Sequence, residues 1–296
     1  MALYLWSCIT SNQLEDEVKV KKGSKTFCQN LVSNVFFGKS HICNLIGNIT
    51  KGKVKAIVNQ TAMTLDIREG IQRQMFFGSY EPIQTSWFKQ CVTEGDVFID
   101  VGASFGHYTT LGASIVGETG KVFAFEPSPV ANSIIEKMII DSDVKNVVLV
   151  KAAIGQTEGT VDLYMPNTEY LHSPSIMQSD ADFVAIRIPV VTLDNFEPLM
   201  GVDEIKLLKM DVEGYEPNVL DGMERLIKEK RVKNIFCEFN SWWLEQNSTT
   251  TKQLLERFLD YGYEINAQTD LQEGLAGHKG VTFSLQDIWF KLVENY

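Results

Sequence analysis

The stretch from Gly95 to Pro127, GDVFIDVGASFGHYTTLGASIVGETGKVFAFEP, constrains the fold more than any other part of the chain. Val97 to Val101 is a short apolar run rich in β-branched residues, too short for a helix and suited to a buried parallel strand. From about His107 to Val116 the apolar residues Leu111, Ile115 and Val116 follow a helical pattern, which Gly117 and Gly120 end. Lys121 to Phe125 is a second apolar strand. Strand, glycine-bearing turn, helix and strand make one βαβ unit with a right-handed connection. Strands and helices continue to alternate beyond it, which predicts a doubly wound α/β fold.

The turn carries the chemistry. Asp100 stands near the end of the first strand, and Gly102 and Gly106 bracket the turn as Gly-Ala-Ser-Phe-Gly. Glycine there permits φ > 0 and close approach of a ligand to the backbone. Glu126 follows the second strand directly, where a carboxylate accepts hydrogen bonds from both hydroxyls of a ribose. The unit therefore predicts a ligand with an adenosine-like moiety. A dinucleotide fingerprint needs glycine two and five positions after Gly102, but Ser104 and His107 stand there. Asp-x-Gly-x-x-x-Gly with a downstream acid suits S-adenosylmethionine (SAM) better. The same residues also satisfy Gly-x-Ser-x-Gly, the nucleophile elbow of an α/β serine hydrolase, with Ser104 as nucleophile and Asp211 and His278 following in triad order. No oxyanion segment precedes that turn, and a hydrolase has no need of Glu126. A third reading is a non-catalytic module that keeps the fold.

Composition narrows the partners. A net charge of −11 argues against a nucleic-acid partner, which requires clustered Lys and Arg. Five scattered cysteines with no Cys-x-x-Cys suit reduced thiols, so a cytoplasmic location is expected. No apolar run reaches the roughly 18 residues of a membrane span, and the start lacks the basic stretch of a signal peptide.

Residues 1–52 read as an N-terminal extension that packs on the main domain at 53–296, itself divided into a lead-in at 53–94 and a catalytic core at 95–296. Lys53 to Ile67 predicts a hairpin around Asn59-Gln60, and Ile83 to Val92 a helix. After Glu126, Pro127-Ser128-Pro129 opens a helix running to about Ile140. Further strands are expected at Val147 to Ile154, Gly159 to Met165, Ile186 to Val191, Ile205 to Met210, Asn234 to Phe239, Tyr263 to Ala267 and Asp287 to Val293. Helices are expected at Pro217 to Lys230 and Thr250 to Tyr261. Thr192-Leu193-Asp194 can cap a short helical turn. The polar, proline-bearing stretch 166–182, which holds His172, is a loop beside the site.

Ligands in such a sheet bind outside the carboxyl ends of the strands. That rule gathers Glu126, Asp211 and Glu238 at one rim, with Glu213 on the turn after Asp211. Asp211 and Glu213 are the candidates for the acceptor side, since a carboxylate there can take a proton or hold a hydroxyl. The plain alternative is that Asp211 caps the following helix and Glu213 sits in its first turn. Asp211, Glu213 and Glu238 can also be read as oxygen ligands for Mg²⁺, though nothing in their spacing demands a metal. Lys209, inside its strand, is expected to face away from this rim and to pair with a neighbour. His107 and His172 are candidate acid–base groups, and Tyr108 and Phe105 can either line the cofactor or pack the core.

Taken together, the Asp100–Gly106 turn, Phe125-Glu126-Pro127, Ala153-Ile154-Gly155, Val190-Val191-Thr192-Leu193-Asp194 and Leu208-Lys209-Met210-Asp211-Val212-Glu213-Gly214 resemble the FkbM-type SAM-dependent methyltransferases, over roughly residues 55 to 293. The resemblance implies a class I methyltransferase fold, Rossmann-like, with a seven-stranded sheet whose last strand, Asp287 to Val293, is antiparallel. It implies SAM as cofactor, S-adenosylhomocysteine (SAH) as product, and O-methylation of a hydroxyl on a sugar, glycolipid, polyketide or similar small molecule. By motif it assigns Asp100, Gly102, Ala103, Ser104, Gly106 and Tyr108 to the methionine side and Glu126 with Pro127 to the ribose. Ala153 and Ile154 fall to adenine, and Asp211 and Glu213 to the acceptor. Ser104 replaces the asparagine common in the family, and the loop at 166–182 lacks an expected Asn-x-Gly pattern.

Overall fold

The computed structural model describes residues 52–166, 176, 183–269, 274–278 and 281–293. Residues 1–51 and most of the 166–182 loop, with His41 and His172, lie outside them, as does the side chain of His278. The chain divides into two units: the described residues up to Pro82 together with Glu136–Val144, and Ile83–Ile135 together with Lys145 onward.

In the smaller unit, β1 (Lys53–Val58) and β2 (Thr61–Asp66) pair antiparallel from Lys53–Asp66 to Val58–Thr61. Asn59 and Gln60 between them have φ of 48° and 68°, the twist that a two-residue hairpin demands. A helix that the sequence pattern did not announce, α1 (Gly70–Phe77), follows. Glu69 caps it by accepting from the amides of Ile71 and Gln72, and Gly78 closes it in the left-handed conformation.

The larger unit is built on the expected βαβ element. β3 (Val97–Val101), α3 (His107–Val116) and β4 (Lys121–Phe125) fall on the boundaries read from the sequence. α2 (Pro82–Cys91) precedes them, and α4 (Pro129–Asp141) and β5 (Val147–Val150) follow. Beyond lie β9 (Leu207–Met210), α5 (Glu216–Asp221), α6 (Glu224–Lys228), β10 (Asn234–Asn240), α7 (Ser241–Gln246), α8 (Thr251–Asp260), β11 (Tyr263–Ile265), β12 (Gly274–His278) and β13 (Val281–Leu292). The main sheet runs β11-β13-β10-β9-β3-β4-β5, with β12 paired on β13. β13 is antiparallel to both β10 and β11, as the resemblance implied. From β3 the chain winds outward through β4 and β5, then returns to β9 on the other flank, so the switch point lies between β3 and β9.

Register assigns the two faces. Ile99, Leu208, Ile235 and Phe290 align across the sheet, as do Val101, Met210, Cys237 and Ile288. With Val219, Leu220, Leu226, Ile227, Leu254 and Phe258 from α5, α6 and α8 they form the main core, where Phe258 stacks on Phe290 at 4.2 Å. On the other face Asp100, Lys209, Phe236 and Trp289 align, under Trp87 and Phe88 of α2 and Tyr108 of α3.

Three expectations are corrected. The run 147–154 is two strands: β5 ends at Val150, and β6 (Ala153–Ile154) joins β7 (Gly159–Pro166) and β8 (Phe183–Val191) in a separate sheet of order β6-β8-β7. The single helix at 217–230 is two, α5 and α6, broken at Gly222. A side chain at Gly222 would place its Cβ 2.1 Å from the Gly155 carbonyl oxygen, so this neighbouring backbone occupies the space a continuous helix surface would need. Lys209 pairs with a neighbour as expected, but that neighbour is Asp211 of the rim, and Lys209 shares the face of Asp100 rather than facing away.

Candidate active site

The Gly102–Gly106 turn is pinned to both strands beside β3. The amides of Gly102 and Ala103 donate to the Phe125 carbonyl at 3.0 and 3.1 Å, and the Asp211 amide donates to the Val101 carbonyl at 3.1 Å. Gly102 has φ +82°, and a Cβ there would lie 2.0 Å from the Asp211 carbonyl oxygen. The turn after β3 and the turn after β9 thus meet backbone to backbone at the switch point. Ser104 (φ 50°) and Gly106 (φ 83°) complete the left-handed path into α3. Asp100, 1 % exposed, accepts from the Thr109 hydroxyl at 2.7 Å. Tyr108 is buried against Phe88, with the Lys209 ammonium 5.0 Å from its ring centre.

Glu126 stands where the sequence expects the ribose acid. Its Oε2 accepts from the Ser104 amide and its Oε1 from the Ser128 amide, each at 2.7 Å. A carboxylate has about four acceptor positions, so these two amides leave room for two hydroxyl donors. Burial foremost, opposed by the two amides and reinforced by Asp100 and Asp211, pushes the Glu126 carboxyl up to about 7. Pro127 is half-buried beside it. The acceptors present fit a ribose: an enclosed acid at the carboxyl end of β4, beside a turn whose backbone a ligand can approach closely.

Across the switch point, Lys209 Nζ lies 2.9 Å from Asp211 Oδ2. Asp211 is therefore no helix cap, and the first turn of α5 is organised instead by Glu216, which sequence reasoning passed over. Glu216 Oε1 accepts from the amides of Val212 and Gly214, while its enclosed Oε2 makes no hydrogen bond. Burial, then these amides and the Asp211 charge in opposition, leave its carboxyl at about 8. The turn it holds contains Glu213 at φ 52° and Gly214 at φ 90°, and Asn247 Nδ2 donates to the Gly214 carbonyl at 2.9 Å. An acid immediately before Pro217 was the signal available for Glu216.

The rim extends onto β10 and β13. Glu238 lies directly opposite Asp287, and Gln84 Nε2 of α2 donates to Asp287 Oδ2 at 2.5 Å. Burial, followed by the charges of Asp211, Glu213, Asp287 and Glu216, raises the Glu238 carboxyl well above its ordinary value. His107, at the start of α3, has Nε2 3.2 Å from the Thr85 hydroxyl. Burial, then Lys209 and Lys89, push it down to about 4, so it is neutral near pH 7. Asp287 and Gln84 carried no signal in the sequence, because their proximity arises only from the antiparallel pairing of β13 and the docking of α2.

The structure brings Asp100, Gly102, Ala103, Ser104, Gly106, Tyr108, Glu126, Pro127, Asp211 and Glu213 to the carboxyl ends of β3, β4 and β9. The side chains of Ala153 and Ile154 lie elsewhere: Ile154 packs in the main core, and Ala153 in the cluster of Leu163, Met165, Ile188 and Val190. Among the described residues no group of three or more His, Cys, Asp or Glu is placed to hold a metal ion. The hydrolase reading gains no support: Asp211 pairs with Lys209, and the Ser104 amide donates to Glu126. Among the described residues no helix is long and apolar enough to cross a membrane.

The sheet order, the glycine turn after β3 and the acid after β4 define a class I SAM-dependent methyltransferase fold. Residues 100–265 match the methyltransferase FkbM domain, and the chain belongs to that family. No curated protein matches it in sequence. Among solved structures it is similar to methyltransferase FkbM from Methylobacillus flagellatus KT, at 15 % identity and TM-score 0.42, over 74 % of this chain and 52 % of that one. It thus spans about half the length of that relative. It is also similar to a Streptococcus mutans protein assigned as a methyltransferase and solved with SAH (10 % identity, TM-score 0.42, 71 % and 96 % covered). A third is M. jannaschii TYW2 solved with AdoMet (12 % identity, TM-score 0.40, 82 % and 87 % covered).

Proposed function

We propose that this chain uses SAM to methylate a hydroxyl group of a small-molecule or glycan acceptor. The observation that carries the reading is Glu126: an enclosed carboxylate at the end of β4, two of its acceptor positions filled by turn amides and two left for ribose hydroxyls. When bound, SAM supplies a methyl group on a positively charged sulfur, activated for transfer to an in-line nucleophile. In this reading Gly102, Ala103, Ser104 and Gly106 give the methionine end a path along the backbone, with Asp100 and Tyr108 forming the floor beneath them. Pro127 flanks the ribose, and Ala153 and Ile154 border adenine through their backbone. Asp211, fixed by Lys209, and Glu213, held on a left-handed residue by the Glu216-bound turn, face the acceptor, where they orient its hydroxyl and take up its proton.

The test is calorimetric titration of the dialysed protein with SAH. One-site binding is expected, weakened in Glu126→Ala about 10- to 150-fold as charge-assisted hydrogen bonds to the ribose are lost. Absence of heat from the folded, ligand-free protein would sink the reading.

A further inference from the structure

The rim holds more acid than a ribose and an acceptor hydroxyl require. Glu238 and Asp287 oppose each other on antiparallel strands. Side chains at such positions sit about 5 Å apart at Cβ, and like charges there repel. Gln84 engages Asp287 at 2.5 Å, while Glu238 Oε2 is enclosed and makes no hydrogen bond. Met210 pairs with Val101 of β3 on one side and Cys237 of β10 on the other, so Asp211, the next residue, lies between the nucleoside end of the sheet and the carboxyl pair. In SAM one methylene joins the ribose ring to the sulfur, so a ribose held by Glu126 carries the sulfur towards the switch point that Asp211 occupies.

From this arrangement we infer that the Glu238–Asp287 pair, beside an Asp211 already paired with the Lys209 ammonium, reads the charge on the cofactor's sulfur, favouring the sulfonium of SAM over the neutral thioether of SAH; this rests on the SAM-dependent reading above. Without a cation the two half-buried carboxyls share a proton, since Glu238 Oε2 is enclosed and opposed carboxylates in such a place do not both ionise. The sulfonium takes that proton's place as the neutralising charge. Methyl transfer then converts a sulfonium and a hydroxyl into a thioether, an ether and one proton. Asp211 takes that proton from the hydroxyl, and the pair, having lost its counter-cation, is where it comes to rest. One electrostatic element thus retains the charged cofactor, loosens its grip on the spent one and stores the proton that the reaction releases.

The test is calorimetry with SAM, SAH and sinefungin, which carries a protonated amine in place of the methylated sulfur, at pH 6.5 to 8.5 in buffers of different ionisation enthalpy. SAM and sinefungin should bind about tenfold more tightly than SAH at pH 7.5 and release about one more proton on binding. Glu238→Gln should lower their affinities towards that of SAH and abolish the extra proton release. Asp287→Asn, also checked for folding by thermal melt, should do the same and stands in if Glu238→Gln does not fold. Equal affinities in the wild type, or a preference unchanged in a folded variant, would overturn the inference while leaving the cofactor reading intact. Binding of none of the three would overturn the cofactor reading and this inference with it.

Discussion

At Gly102 a left-handed backbone and a peptide oxygen in the path of any Cβ combine two constraints that are usually separate. A side chain there would meet the Asp211 carbonyl at 2.0 Å and suffer the strain of φ +82°. Gly102→Ala should therefore lower stability by about 3 kcal/mol or more and abolish SAH binding, read by urea denaturation and calorimetry. The positions of several candidate residues were legible singly, because each follows a strand in a recognisable turn: Gly102, Glu126 and Asp211. Their partners were not. Lys209 was expected to face away, yet residues two apart on a strand share a face, so Lys209 and Asp211 were bound to meet. The opposition of Glu238 and Asp287 depends on a register that no local pattern encodes.

Among the elements, those bounded by strong local punctuation were legible. Glycines end α3, and β3 and β4 are unbroken apolar runs. Where tertiary contacts cut an apolar pattern, the sequence misled. Val147 to Ile154 is apolar on both sides of Lys151, but Ala153 and Ile154 find their partners in Val190 and Val191 of another sheet. The apolar face of 217–230 was read correctly, since Val219, Leu220, Met223, Leu226 and Ile227 are all buried; only the break was missed. α7 is too short to show a period. Thr192-Leu193-Asp194 was expected to cap a short turn, and the Thr192 hydroxyl does accept from the Asn195 amide at 3.3 Å, while Asp194 caps the distant α6, its carboxylate accepting from the amides of Arg225 at 2.8 Å and Leu226 at 3.0 Å. Asp194→Ala should cost about 0.5–2 kcal/mol in urea unfolding, with the SAH affinity of the folded protein unchanged.

For the whole molecule, two enclosed acids couple folding and binding to pH in opposite directions. Glu216 keeps its proton to about pH 8 when folded but loses it near its ordinary value of 4.5 when unfolded, and Glu126 does so to about 7. Between those values the folded chain binds more protons. Their contribution to stability is therefore complete below about pH 4.5 and is lost as pH rises through about 7 and 8. A net charge of −11 at pH 7 works in the same direction. Thermal melts from pH 5.5 to 8.5 should show the melting temperature falling, with a shallower slope in Glu216→Gln. A ribose bonds the ionised form of Glu126, so SAH affinity should climb up to about pH 7 and then level off. Calorimetry over the same range checks this rise.

The antiparallel strand β13 has a consequence for synthesis. Among the described strands of its sheet, β11 is hydrogen-bonded to β13 alone, and β10 has β13 as its outer neighbour. A nascent chain that has emerged only as far as β11 can assemble β3, β4, β5, β9 and β10, but β11 has no edge on which to dock. Until residues 281–292 leave the ribosome, β10 presents open amides and carbonyls beside Phe236 and Phe239, an edge that invites pairing with another chain. Ribosome stalling between β11 and β13 should therefore yield a species that holds most of its core yet depends on chaperones to stay unpaired.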